Sequence, residues 1–266
     1  MNNIKAIILD LDGTLLDDDK NISSENIDAI KYAINKGAYV IITSGRPINA
    51  SKKFWEKAQA SRYIIFSNGA GIYDTENKEC ISTITIEKEI CLEMYNYAIK
   101  KDVCVRLDTI YGRFITDMNY ATSTDYELKE DINKFLDDNL IIQMSFIYEN
   151  KEKIYELVEC INKNPRRELK VEDVFITGPN GEFFATCAIN PSASKGNAVN
   201  GLCKFLKIDK EAAIAMGDGL NDISMLSTVG LGVAMENATS EVKLAAKEIT
   251  CTNNENGVAK IIMCNF

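Results

Sequence analysis

Two carboxylates one residue apart, Asp10 and Asp12, end the apolar run Ile7-Ile8-Leu9. On extended backbone, residues i and i+2 point to the same side. Both carboxylates would then share one small volume and repel each other unless a cation lay between them. An ordinary strand followed by an Asp-Gly turn carries the same letters. Far along the chain, Gly217-Asp218-Gly219-Leu220-Asn221-Asp222 forms a second acidic group. Its glycines permit a tight turn and close approach of a ligand, and Asn221 and Asp222 lie within one helical turn of Asp218; a turn with a helix N-cap is the alternative, although acidic loops gathered along one sheet edge would be strained without a cation. Thr43-Ser44-Gly45-Arg46-Pro47 offers hydroxyls and backbone N–H groups of the kind that hold phosphate at a strand end beside a helix start. A plain strand-to-helix loop with a capping serine is the alternative. Lys195 stands in the first turn of a helix opened by Ser192-Ala193-Ser194. A cation there opposes the helix dipole, so it is either a solvated surface lysine or part of an anion site.

The elements that would position these groups follow one pattern. The strand ending at Asp10 leads to a helix that Ser23-Ser24-Glu25-Asn26 caps, in which Ile27, Ile30 and Ile34 recur at helical spacing and which Lys36-Gly37 ends. Strands are predicted at 38–42 and 62–66, the second followed by the polar loop Ser67-Asn68-Gly69-Ala70-Gly71. Repeated strand-loop-helix units imply parallel strands whose loops gather along one sheet edge. From about Cys80 the pattern changes. Alternation over 81–86, a helix over 87–101, hairpin strands over 103–107 and 110–116, a helix over 125–138, a strand over 141–148, a helix over 151–162 and strands over 169–176 and 182–187, turning at Gly178-Pro179-Asn180-Gly181, describe an α+β block. The first pattern then returns, with a strand over 212–216, a last strand-helix pair over 230–247 and a closing helix over 257–263. The expected organisation is a core of 1–80 and 189–266 with an inserted cap over 81–188.

The 266 residues, 46% hydrophobic and 26% charged, suit a soluble protein with a large core. No apolar run reaches the roughly 18 to 20 residues of a membrane span, and the N-terminus lacks secretory features, so a cytoplasmic location and no membrane partner are expected. The eight cysteines include no Cys-x-x-Cys pair and read as buried free thiols. With no histidine in the chain, Ser-His and Cys-His mechanisms and His-ligated zinc are excluded. A net charge of −9 argues against nucleic acid as a partner. Nothing in the pattern sets an oligomeric state.

Asp10-Leu11-Asp12-Gly13-Thr14-Leu15, the segment from Thr43 to Pro47, Ser194-Lys195-Gly196 and the segment from Gly217 to Asp222 resemble, in that order, the four motifs of the haloacid dehalogenase-like superfamily. Ser67-Asn68-Gly69-Ala70, Val233-Ala234-Met235-Glu236-Asn237-Ala238 and the insertion between the second and third motifs resemble the Cof-type phosphatases. The likeness spans essentially the whole chain and is weakest over the insertion. It implies an α/β fold, a Rossmann-like doubly wound parallel sheet with an inserted α+β cap. It also implies a Mg²⁺-dependent phosphatase that acts on a small phosphorylated metabolite, a sugar phosphate or phosphorylated cofactor, through an aspartyl-phosphate.

In that reading Asp10 is the nucleophile, and Asp12 is first general acid and then general base. Acid work near neutral pH would need a raised pKa, which the neighbouring carboxylates could provide. Asp10, Asp218 and the backbone carbonyl of Asp12 would hold Mg²⁺. Ser44, Gly45 and Lys195 would bind phosphate, Asn221 would contact phosphate or a metal-bound water, and Asp222 would orient Lys195 and the metal's surroundings. Asn68 is a candidate substrate contact; Arg46 is another, with a structural ion pair as its equal alternative. Two departures are small: Ala193-Ser194 replaces a frequent Gly-Val or Gly-Ala, and Thr43-Ser44-Gly45 a more typical Ala-Thr-Gly, with the hydroxyl kept. The cap would close as a lid and read the leaving group, with Arg106, Asp108, Tyr111 and Arg113 near one hairpin; a solvated hairpin surface is the alternative for each. A phosphomutase is the nearest alternative activity, and a non-catalytic metabolite-binding regulator a more distant one.

Overall fold

The computed structural model describes residues 4–121, 126–127, 131–163, 168–172, 174–178 and 181–266. The chain divides into two compact units, Met1–Ser82 with Ala193–Phe266, and Thr83–Ser192.

The first unit opens with β1 (Ala6–Asp10), α1 (Ser24–Asn35), β2 (Tyr39–Thr43), α2 (Ile48–Ala58), β3 (Tyr63–Phe66), β4 (Gly71–Asp74) and β5 (Glu79–Thr83). The second contains α3 (Lys88–Lys100), β6 (Cys104–Asp108), β7 (Arg113–Ile115), β8 (Tyr126–Glu127), α4 (Ile132–Asp138), β9 (Gln143–Tyr148), α5 (Lys151–Asn162), β10 (Lys170–Val171), β11 (Phe175–Thr177) and β12 (Phe183–Ile189). The chain then re-enters the first unit with α6 (Lys195–Leu206), β13 (Ala213–Gly217), α7 (Ile223–Leu226), β14 (Leu231–Ala234), α8 (Ser240–Ala245), β15 (Glu248–Ile249) and α9 (Gly257–Asn265).

The first unit's eight-stranded sheet runs β15-β14-β13-β1-β2-β3-β4-β5. It is parallel from β15 to β3, and β4 then pairs antiparallel with β3. The alternation of buried strands sorts their side chains to two faces. Ile7, Leu9, Val40, Ile42, Ile214 and Met216 pack with α1 and α9 residues on one. Ala6, Ile8, Ile41, Ile65 and Ala215 meet Ala198, Val199 and Leu202 of α6 on the other. Asp10 continues the row of Ala6 and Ile8, so it emerges on the side where α6 begins. Ser23 Oγ accepts from Asn26 N at 3.2 Å to start α1, and Ser194 Oγ accepts from Asn197 N at 3.1 Å to start α6.

Some elements differ from the sequence expectation. The alternating run over 81–86 lies partly in β5, at the edge of the eight-stranded sheet, because its half-exposed pattern suits an edge. The helix expected over 125–138 is shorter. It starts at Ile132, where Asp131 accepts from the N–H groups of Asn133 and Lys134, and 126–127 are strand; residues 125 and 128–130 lie outside the described residues. The strand over 169–176 is two short strands, β10 and β11, each paired antiparallel with β12. In the turn at Gly178 to Gly181, Pro179 and Asn180 lie outside the described residues. The second unit's sheet runs β10-β12-β9-β6-β7-β8. In it Arg106, Asp108 and Arg113 are buried, with Asp108 accepting from Arg106 Nε at 3.1 Å and from Arg113 Nε at 2.8 Å. These three are therefore not a solvated hairpin surface, whereas Tyr111 at 83% exposure is. All eight cysteines are free thiols, but only Cys91, Cys104, Cys187 and Cys203 are buried, and Cys264 is exposed.

Leu9 is fully buried within β1, one residue before Asp10, and Leu244 is 85% exposed. Leu9→Ala is expected to lower the unfolding free energy by about 2–5 kcal/mol, and Leu244→Ala by no more than about 0.5 kcal/mol, measured by urea denaturation.

Candidate active site

Within the first unit, the C-terminal ends of β1, β2, β3 and β13 and the start of α6 supply all the candidate groups, as parallel strands require of their loops. The centre is Lys195. Its side chain is 1% exposed, and Nζ donates to Asp10 Oδ1 and to Asp222 Oδ1, each at 2.5 Å. The solvated-lysine alternative therefore does not hold. Burial works to lower the Lys195 pKa, but the two carboxylates outweigh it and the ammonium is held above its ordinary range. Asp222 is held in turn, its Oδ2 accepting from the N–H groups of Asp218 at 3.0 Å and Gly219 at 2.9 Å.

Asp10, Asp218 and Asp222 each place a carboxylate oxygen within 4.8 Å of the others'. Burial, with Asp222's charge next, pushes the Asp218 carboxyl up to about 6, although Thr14 Oγ1 donates to its Oδ1 at 2.9 Å. Burial and then Asp222 also raise Asp10 well above a normal carboxylate, with Lys195 opposing. Packing here leaves no slack. Gly13 has φ +75°, and a Cβ on it would lie 2.2 Å from Asp218 Oδ2, so the acidic turn passes the second acidic loop only as glycine. Asn237 Nδ2 donates to the Gly13 carbonyl at 2.8 Å and anchors that turn.

The donor set suits a divalent cation. Both Asp222 oxygens are engaged by Lys195 and backbone N–H groups, whereas among the described residues no donor reaches Asp10 Oδ2 or Asp218 Oδ2. One buried and one half-buried carboxylate, both with raised proton affinity, are what a hard, oxygen-seeking ion such as Mg²⁺ would neutralise.

Asp12 lies elsewhere. Its carboxylate accepts from Arg46 Nε at 2.7 Å and Nη2 at 2.6 Å, and from Lys20 Nζ at 2.9 Å. Burial works to raise its pKa, but the Arg46 hydrogen bonds and charge, then Lys20, hold it down at about 2. The expectation that neighbouring carboxylates raise it is thus overturned; its nearest partners are cations. Arg46 makes the ion pair that was one of its two readings.

The remaining candidates form a hydrogen-bonded rim. Buried Ser44 accepts from Arg46 N at its Oγ, at 3.1 Å, and its carbonyl accepts from Asn68 N at 3.0 Å. Asn68, at φ +54°, accepts at Oδ1 from Asn221 Nδ2 at 2.8 Å. A Cβ on Gly45 would stand 3.0 Å from that same Asn68 oxygen. Asn221, expected to face phosphate, thus meets Asn68 here. Sequence reasoning missed Thr14, Lys20 and Asn237. Thr14 stands inside the first acidic motif and was findable there, whereas Lys20 sits in a loop with no pattern to mark it.

Comparison with known proteins places this geometry. A family model described as haloacid dehalogenase-like hydrolase matches residues 7–262. The Bacillus subtilis 5-amino-6-(5-phospho-D-ribitylamino)uracil phosphatase YcsE is 32% identical over 98% of this chain and 95% of its own. The phosphatase YwpJ of the same organism is 30% identical over 97% and 99%. Among solved structures, a haloacid dehalogenase-like hydrolase from Bacteroides thetaiotaomicron superposes with a TM-score of 0.83 at 25% identity, covering 99% of this chain and 100% of that one.

The raised Asp218 carboxyl sets a pH test. The folded state binds this proton more tightly than the unfolded chain, so its contribution to stability is full below the ordinary carboxylate range and lost as pH rises past about 6. A cation that replaces the proton should reverse the loss. Millimolar Mg²⁺ is expected to raise Tm by about 5 °C at about pH 8 and by much less at about pH 5, followed by calorimetry.

Proposed function

This chain belongs to the haloacid dehalogenase-like hydrolases, within them to the Cof-type phosphatases, and is a phosphoric monoester hydrolase, and from that premise we propose that it releases phosphate from a small phosphorylated metabolite through an aspartyl-phosphate on Asp10. The observation that carries this reading is the buried Lys195 held between Asp10 and Asp222. It holds the Asp10 carboxylate in one orientation at the strand end and sets an ammonium beside it that can neutralise the incoming group.

In the first half-reaction an Asp10 oxygen attacks phosphorus in line with the ester oxygen, which departs with a proton from Asp12. Lys195, the Ser44 hydroxyl and the Gly45 N–H hold the non-bridging oxygens. In the second, water attacks the phosphorus of the aspartyl-phosphate and gives its proton to Asp12, which returns Asp10 as carboxylate. Asp12 rests in the ionised form that the second half needs, and an arriving phosphate dianion would raise its proton affinity for the first. A bound Mg²⁺, with Asp10, Asp218 and the Asp12 carbonyl as its ligands, would supply charge neutralisation between carboxylate and phosphate. Asp222 keeps Lys195 and the Asp218 loop in place.

The catalytic role falls to the first unit, and substrate choice is assigned to Thr83–Ser192. Sugar phosphates, phosphorylated cofactors and 5-amino-6-(5-phospho-D-ribitylamino)uracil, the substrate in the names of several relatives, form the panel to screen with Mg²⁺. Asp10→Asn is expected to lower phosphate release from an aryl phosphate by about a thousandfold or more in a colorimetric assay. Retained turnover would remove Asp10 from the mechanism.

A further inference from the structure

Arg46 lies where several constraints meet. Its backbone N–H donates to Ser44 Oγ at 3.1 Å, and its carbonyl accepts from Ser67 N at 2.9 Å, so the loops after β2 and β3 fix its main chain. Its guanidinium carbon lies 4.9 Å from the ring centroid of Phe54, a buried residue of α2. Stacking on an aromatic face restrains a guanidinium that would otherwise sample many rotamers. The same guanidinium meets Asp12 in the two-point geometry in which an arginine fork fixes the plane of a carboxylate. Lys20, from the loop after β1, adds a third contact at 2.9 Å from the exposed side.

We propose that Arg46 is a positioning residue for proton transfer: held by the Phe54 ring, it sets the plane and direction of the Asp12 carboxylate, and it does not bind the substrate's phosphate. This inference rests on the acid and base role given to Asp12 above. The geometry favours it over a phosphate contact, because two of the fork's donors are already used on Asp12 and the stacked ring opposes their turning elsewhere. Arginine is needed for this task because a lysine offers a point charge that fixes no plane.

A positioned acid matters only where the leaving oxygen needs a proton. Dinitrophenolate departs without one, whereas an alkoxide does not. The test measures kcat/KM, which reports on the steps up to ester cleavage, for dinitrophenyl phosphate and for a simple alkyl phosphate with the full-length protein and Mg²⁺. Arg46→Met is expected to lower kcat/KM for the alkyl ester by about a hundredfold and for the dinitrophenyl ester by less than about threefold. Phe54→Leu, which keeps an apolar side chain but removes the ring, should show the same selectivity with a loss of about tenfold on the alkyl ester. Arg46→Lys should recover part of the loss, and it carries the comparison if Arg46→Met does not fold. Equal losses on both esters would make Arg46 a phosphate contact, and no loss on either would make it an idle ion pair; each overturns the proposal. Asp10→Asn, run beside them, separates the two levels: turnover that survives it overturns the reading of the site and this inference with it.

Discussion

A lysine ammonium buried to 1% exposure is tolerable only where carboxylates neutralise it, and the two partners of Lys195 are each 2.5 Å away. The rest of the site follows from that constraint. One partner, Asp10, ends the central strand β1; the other, Asp222, follows the neighbouring strand β13; and Lys195 itself opens α6, which packs on the face that Asp10 joins. Breaking such a group by removing one member leaves an uncompensated buried charge, which typically costs about 3–5 kcal/mol. The triad thus ties together three segments far apart in the sequence, and it holds the Asp10 carboxylate in one orientation.

The same strand end holds two carboxylates in opposite electrostatic settings. Asp10 lies among Asp218 and Asp222, with burial raising its proton affinity, while Asp12 is gripped by Arg46 and Lys20 and kept low. One site thereby supports two roles, as divergent environments do for paired acids generally. In the mechanism proposed above, the acidic side takes the cation and the basic side orients the proton carrier. Arg46 connects this division to the scaffold, since its backbone is held by the loops after β2 and β3 and its guanidinium by Phe54.

Much of this was legible in the sequence because parallel strands force their C-terminal loops together. The apolar runs ending at Asp10, Thr43, Phe66 and Gly217 were enough to place the acidic turn, the hydroxyl loop and the second acidic loop on one sheet edge. The polarity of the contacts was not legible. Whether Asp12 meets carboxylates or cations depends on Lys20, in an unpatterned loop with left-handed backbone at φ +61°, and on the rotamer of Arg46, and neither leaves a periodic trace. Asn221 read as a phosphate group from its motif, yet its amide is engaged by Asn68 across 153 positions of sequence. In the inserted unit the short strands misled: β10 and β11 read as one strand because both pair with β12. The edge strand β5 read as insert because edge strands alternate where buried parallel strands do not.

The central claim is that phosphorus is bonded to Asp10 during turnover, and stereochemistry at phosphorus tests it most directly. Each in-line displacement inverts configuration, so two of them restore it. With an isotopically chiral phosphorothioate ester as substrate, the account predicts net retention of configuration in the thiophosphate released. Net inversion would mean that water attacks the ester directly, and would contradict it.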